Sequence, residues 1–248
     1  MGTLLRCCTT ILLLNASLPA ICVPDQQGPD SLMKDSYVKS NVAVVSNAFG
    51  ASDTSINNIV SVVERDTSYM QINTKLKAAA QRFKQKTIQA KNFVSQNDYN
   101  TEVCFLVDMS IPSGKKRFFV YNMKKDSVES SSLVSHGAGS YKQGCDDNLI
   151  FSNTPNSLMT SLGRYKIGVS YYGEWGLSYK LYGLDSTNSN AFSRAIVLHS
   201  DSYVPEKETF PRHIYESSGC PIVSPSILTM LGKYINGSKK PILLWIYN

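Results

Sequence analysis

Two residues of this 248-residue chain have the chemistry that nucleophilic acyl transfer needs. They are Cys220, in the polar loop Glu216-Ser-Ser-Gly-Cys-Pro221, and His199, at the end of Arg194-Ala-Ile-Val-Leu-His199. A thiolate attacks a carbonyl carbon once a base has taken the thiol proton, and imidazole is the side chain that ionises nearest neutral pH. The chain has 3 histidines, His136, His199 and His213. In a strand, Ala195, Val197 and His199 share one face, so backbone pairing would hold the His199 ring still at a strand end. His213, beside Pro211 and Arg212, reads as a surface residue or substrate contact, and His136, which opens His-Gly-Ala-Gly139, reads as a cleft residue. Gly219 lets a carbonyl approach closely, while Pro221 has no N–H, so nearby oxyanion donors are the N–H groups of Gly219 and Cys220. On residue types alone, a structural thiol remains the competing reading of a lone cysteine with a distant histidine.

The elements that must position this pair are legible in the hydrophobic periods. Ser224 followed by Pro225 is an N-cap with an N1 proline, and Ile227, Leu228, Leu231, Tyr234 and Ile235 recur at helical spacing before Gly237. Residues 242–247 are expected to form a last strand inside the sheet. Upstream, 103–108, 117–121, 130–134, 164–169, 177–184 and 194–198 read as strands separated by turn-forming segments. Ile56, Ile59, Val60 and Val63 mark a short amphipathic helix, and Leu76, Ala79, Ala80 and Phe83 a second one reaching the mid-90s, Lys-rich on its outer face and suited to covering a sheet. The fold class is therefore mainly β with flanking helices, α+β.

Hydrophobic residues make up 42% and charged residues 18% of the chain, which excludes a disordered or fibrous protein. Residues 1–20 carry one charge, Arg6, then an apolar run and a small-residue stretch ending Leu-Pro-Ala20, the layout of a secretory signal peptide. The run is shorter than the roughly 20 residues that span a bilayer. Leu-Pro-Ala-Ile-Cys22 also has the outline of a lipoprotein signal, which leaves peripheral membrane attachment open, although Ile21 is bulky for that role. Residues 21–73 read as a linker and short helix. The formal charge of +6 is not clustered into runs, so no nucleic-acid partner is expected. Of 6 cysteines, Cys7 and Cys8 would leave with the signal; Cys104 and Cys145 are a disulfide or two buried thiols. No Cys-x-x-Cys pair or His/Cys cluster suggests a metal, and no cofactor is implied.

The segments Arg194-Ala-Ile-Val-Leu-His-Ser200 and Ser217-Ser-Gly-Cys-Pro221 resemble the His…Ser-x-Gly-Cys signature of the murein L,D-transpeptidase catalytic domain family (YkuD-like), in the branch with Ser-x-Gly-Cys-Pro. Blocks 108–117, 134–140, 151–157, 161–165 and 182–184 look like that branch's blocks in its order. The resemblance spans about residues 74–248 and implies a β-sandwich-like catalytic domain acting on peptidoglycan stem peptides. It also implies an exported protein of a bacterial periplasm or cell envelope, expected as a monomer.

By that resemblance Cys220 is the nucleophile, His199 the base, the Ser200 carbonyl orients the imidazole, and Gly219 serves the oxyanion. His136, Asn153, Ser161, Tyr165 and Ser218 are candidate substrate-binding residues. Two positions depart from the branch: Ser200 stands where it has Gly, and Glu216 where it has Arg. The implied activity is transpeptidation through a Cys220 thioester. An L,D-carboxypeptidase shares the chemistry, and an inactive envelope-binding protein would keep only the fold.

Overall fold

The computed structural model of the chain describes the backbone of residues 53–142 and 145–248, and the side chains of 74–141 and 149–248. The expected signal peptide lies outside the described residues. The chain enters through one continuous helix, α1 (Asp53–Gln96), where the periodicity suggested a short helix followed by a separate longer one. Nothing breaks it: the segment contains neither Gly nor Pro, the two residues that most penalise a helix interior.

The strands then follow as β1 (Val103–Asp108), β2 (Phe118–Asn122) and β3 (Ser127–Ser132), a 3-10 turn at Ala138–Ser140, β4 (Tyr141–Lys142) and β5 (Cys145–Leu149). Next come β6 (Gly163–Gly173), β7 (Gly176–Gly183), β8 (Val197–Ser200), β9 (Ile222–Val223), α2 (Pro225–Gly237) and β10 (Leu243–Tyr247). Eight strands form one sheet in the order β3-β2-β1-β10-β6-β7-β8-β9, and β4 and β5 pair separately. Among the described residues, a β-rich core with two helices is the α+β class expected. The terminal strand sits inside the sheet, parallel to β1 and antiparallel to β6.

That central position explains the unbroken apolar run Leu243-Leu-Trp-Ile-Tyr247, because both faces of the strand are covered. On one face, Ala90 and Val94 of α1 pack on Cys104, Leu106, Tyr121, Leu243 and Tyr247. Phe83 meets Phe119 and Tyr121 edge-on at centroid distances of 5.2 and 5.7 Å. Arg82 ties the same helix to the sheet through an ion pair with Asp108 at 3.0 Å. On the other face, Leu228 and Leu231 of α2 join Phe105, Val107, Tyr179, Leu181 and Leu198. A third cluster, Leu133, Val204, Ile214 and Ile222, lies at the β9 margin, and Cys220 packs against both it and the α2-side core.

Two local expectations change, and a third is narrowed to one of its alternatives. Ser224 has the extended conformation of an N-cap and Pro225 follows it, but its hydroxyl makes no capping bond. Cys104 is a free thiol with no exposed surface, and burial pushes its ionisation up to about 12, so it is inert; the Cys145 side chain lies outside the described residues. The strand expected over 194–198 begins only at Val197, because Ala195 takes φ 55, a left-handed conformation incompatible with a strand. Ala195 therefore does not share a strand face with Val197 and His199.

Candidate active site

The site is built where β8 and β9 pair in parallel, His199 opposite Ile222 and Ser200 opposite Val223. Continuing that register backwards sets Cys220 opposite Val197, and the Val197 N–H indeed donates to Cys220 Sγ at 3.4 Å. Two residues along one strand and one strand spacing across put the Cα atoms of His199 and Cys220 about 8 Å apart, within the combined reach of a thiol and an imidazole. Cys220 Sγ also lies 3.8 Å from the Ala195 carbonyl oxygen, an acceptor for the thiol proton.

His199 is 4% exposed. Its Nδ1 lies 3.3 Å from the Ser200 carbonyl oxygen, which can only accept, so the proton sits on Nδ1 and Nε2 carries the lone pair of a base. The Trp175 ring, at the tip of the β6–β7 hairpin, stands 5.8 Å from the imidazole and is tilted 33° to it. Burial holds His199 below the ordinary imidazole value, partly offset by the Ser200 carbonyl and by Asp201. Burial likewise pushes the Cys220 thiol up, partly offset by the Val197 N–H and by the Arg194 charge. At neutral pH the two groups therefore rest as a thiol and a neutral imidazole, in keeping with a base that takes the thiol proton during attack.

Gly219 has φ 117, and a Cβ there would come within 2.9 Å of the Met159 carbonyl oxygen, so both backbone angle and space require glycine. Its N–H donates to Ser217 Oγ at 3.0 Å. Of the two oxyanion donors expected from sequence, the Gly219 N–H is therefore already engaged. The Cys220 N–H has no protein acceptor among the described residues. The loop ahead of Cys220 is braced by 136–138: Ser217 N–H donates to the His136 carbonyl at 2.8 Å, and Ala138 N–H to the Ser217 carbonyl at 2.7 Å.

The other candidates separate by burial. Ser218 is exposed beside the cysteine. His136 is only 1% exposed and does not open into a cleft; its Nδ1 accepts from the fully buried Arg117 at 2.8 Å. Ser161 and Tyr165 are enclosed, with the Tyr165 hydroxyl donating to the Ser161 carbonyl at 2.6 Å, and burial pushes Tyr165 up to about 12. Asn153 is a loop clamp, donating to the Ser186 carbonyl and Ser189 Oγ at 3.0 Å each and accepting the Asn190 N–H at 3.0 Å. His213 is exposed, as a surface residue should be. The sequence reading gave no individual role to Arg194, whose guanidinium donates to the carbonyls of Ser152 and Met159 at 2.8 and 2.6 Å.

A groove of about 530 Å³ lies elsewhere, between the β6–β7 hairpin and the α2–β10 connection, and includes none of these candidates. Among the described residues, no group of three or more His, Cys, Asp and Glu is arranged to hold a metal, and no helix is long and apolar enough to cross a membrane.

Residues 74–247 match the L,D-transpeptidase catalytic domain. The chain belongs to this family. Similar solved structures include an L,D-transpeptidase from Xylanimonas cellulosilytica, 17% identical, covering 58% of this chain and 60% of that one with a TM-score of 0.33. A second L,D-transpeptidase, from Mycobacterium smegmatis, is 12% identical over 59% of each chain, with a TM-score of 0.35. The helical cell shape determining protein Pgp2 from Campylobacter jejuni is 12% identical over 60% of this chain and 49% of its own, with a TM-score of 0.40. The chain thus spans about half to three fifths of the length of these three structures. No curated protein matches. Within this L,D-transpeptidase family domain, the fold holds His199 on β8 and Cys220 in the loop two residues before the paired strand β9.

Proposed function

We propose that this chain is a peptidoglycan L,D-transpeptidase that works through a Cys220 thioester in the bacterial cell envelope. The observation that carries this is the β8–β9 pairing, which sets a thiol near an imidazole whose Nδ1 is committed to the Ser200 carbonyl. His199 Nε2 takes the proton from Cys220 as Sγ attacks the carbonyl carbon of the bond between the L-centre and the terminal D-residue of a donor tetrapeptide stem. Sharing that transfer with the attack avoids forming a buried thiolate before substrate arrives. The carbonyl oxygen gains negative charge facing the Cys220 N–H. The C–N bond then breaks, the leaving amine takes the proton from His199, and a thioester remains. An amine of a second stem attacks the thioester, gives up a proton, and Cys220 returns to its thiol.

Ser218, exposed beside the nucleophile, contacts the stem in this reading, and Gly219 lets it approach. His136, Asn153, Ser161 and Tyr165 shape the surrounding loops. Incubation with disaccharide-tetrapeptide muropeptides followed by mass spectrometry tests the proposal. A cross-linked dimer with release of the D-amino acid is expected. Tripeptide alone means that water is the acceptor and the enzyme is an L,D-carboxypeptidase; unchanged tetrapeptide contradicts both.

A further inference from the structure

The turn before β8 puts a cation beside Gly219, the residue that precedes the nucleophile. Ala195 sits at φ 55 although it has a Cβ, a conformation costing on the order of 1 kcal/mol that persists only where its surroundings impose it. The chain reversal there brings the Ala195 carbonyl to Cys220 Sγ and turns the neighbouring Arg194 side chain inward. Arg194 Nη1 donates to the Ser152 carbonyl at 2.8 Å, while Nη2 donates to the Met159 carbonyl at 2.6 Å and lies 3.4 Å from Ser157 Oγ. Nη2 would also stand 3.3 Å from a Cβ on Gly219, and the Met159 carbonyl 2.9 Å from it, so guanidinium and carbonyl form the wall against which the residue before Cys220 rests. Carbonyls and a hydroxyl orient a guanidinium without cancelling its charge, and Arg194 makes no ion pair with a carboxylate among the described residues.

We propose that Arg194 is the positioning residue of the Cys220 site. Its uncompensated guanidinium stabilises negative charge on Sγ and on the carbonyl oxygen created by attack, while its fork holds the Met159 carbonyl against Gly219. The other ionisable groups around the thiol serve this less well. Tyr165 on β6 stays neutral at working pH because of its burial. His199 is neutral at rest, and Asp201 beyond β8 and Glu216 in the cysteine's own loop carry the opposite sign. A planar fork reaching two carbonyls while keeping its full charge is a task for Arg that neither a neutral side chain nor the single ammonium of Lys fulfils completely.

The test is the pH dependence of iodoacetamide alkylation of the full chain, followed on the Cys220 peptide by mass spectrometry. Arg194→Gln keeps a donor for Met159 but removes the charge, and should move the alkylation midpoint upward by about one pH unit. Arg194→Lys, which keeps the charge, should restore most of that shift while remaining slower in acylation because the fork is lost. Unmoved midpoints in both variants, with only lower thermal stability, overturn the proposal and leave Arg194 a mere clamp. Should Arg194→Gln not fold, the wild-type protein carries the test above pH 8, where His199 is uncharged. There iodoacetate should gain on iodoacetamide by several-fold relative to the same ratio with glutathione, and a ratio no higher than glutathione's overturns the proposal. The inference rests on Cys220 as nucleophile, and the two failures differ: no acylation at Cys220 removes the nucleophile, whereas an unmoved midpoint in a chain that still acylates removes only Arg194.

Discussion

His136 and His199 are both almost fully buried, at 1% and 4% exposure, yet their imidazoles are wired in opposite senses. Arg117 can only donate, so His136 Nδ1 accepts and the ring proton sits on Nε2. Ser200 offers a carbonyl, so His199 Nδ1 donates and Nε2 keeps its lone pair. One histidine braces the segment that holds the cysteine loop, through its own carbonyl and its contact with a buried guanidinium. The other stands two residues beyond the position opposite Cys220, beneath an exposed tryptophan. Burial therefore does not separate the bracing histidine from the proposed base here. The identity of the group facing Nδ1 does.

The largest expected effect that tests this contrast is kinetic. His199→Ala should slow covalent acylation of Cys220 about 10²- to 10⁴-fold, the usual contribution of a positioned base, with little change in thermal midpoint. His136→Ala should do the reverse, because it strips a partner from buried Arg117: about 2 kcal/mol of stability is lost in urea unfolding, while the folded fraction still acylates. Equal kinetic losses in the two variants would erase the distinction. Gly219→Ala comes next, with about 1–3 kcal/mol of backbone strain from φ 117 and a Cβ pressed on Met159, read as a lower melting temperature together with slower acylation.

The smallest effect is the pH response of His199. Because its folded ionisation lies below the ordinary 6.5, the unfolded chain binds the proton first as pH falls. Its contribution to stability is complete above about pH 6.5 and fades as pH drops through the lower folded value. The acylation rate should fall in that same window, below 6.5, as the base protonates. Urea midpoints at pH 7.5 and pH 5, for wild type and His199→Ala, isolate the stability part.

What the sequence could reveal follows from the range over which each feature is encoded. β1, β7, β10 and α2 carry their periods or caps within a few residues and are legible as local patterns. The β8 boundary is not, since the left-handed Ala195 has no compositional marker and is imposed by contacts with 190–192 and Cys220. β9, only two residues long, is too short to show a period. His136 looks like a cleft residue in a Gly-containing loop until the sheet brings Arg117 to it from the end of β2. Cys220 and His199 are candidates from their residue chemistry, sharpened by a motif, whereas Arg194 becomes one only when the folded loop of Ser152 to Met159 reaches it.

The central claim is that Cys220 is an acylatable nucleophile served by His199, and the most direct measurement is intact-mass analysis after incubation with a carbapenem. The expected result is a single adduct that maps to Cys220, forms far more slowly in His199→Ala and is absent from Cys220→Ala. An adduct that persists in Cys220→Ala, or none in the wild-type protein, would contradict it.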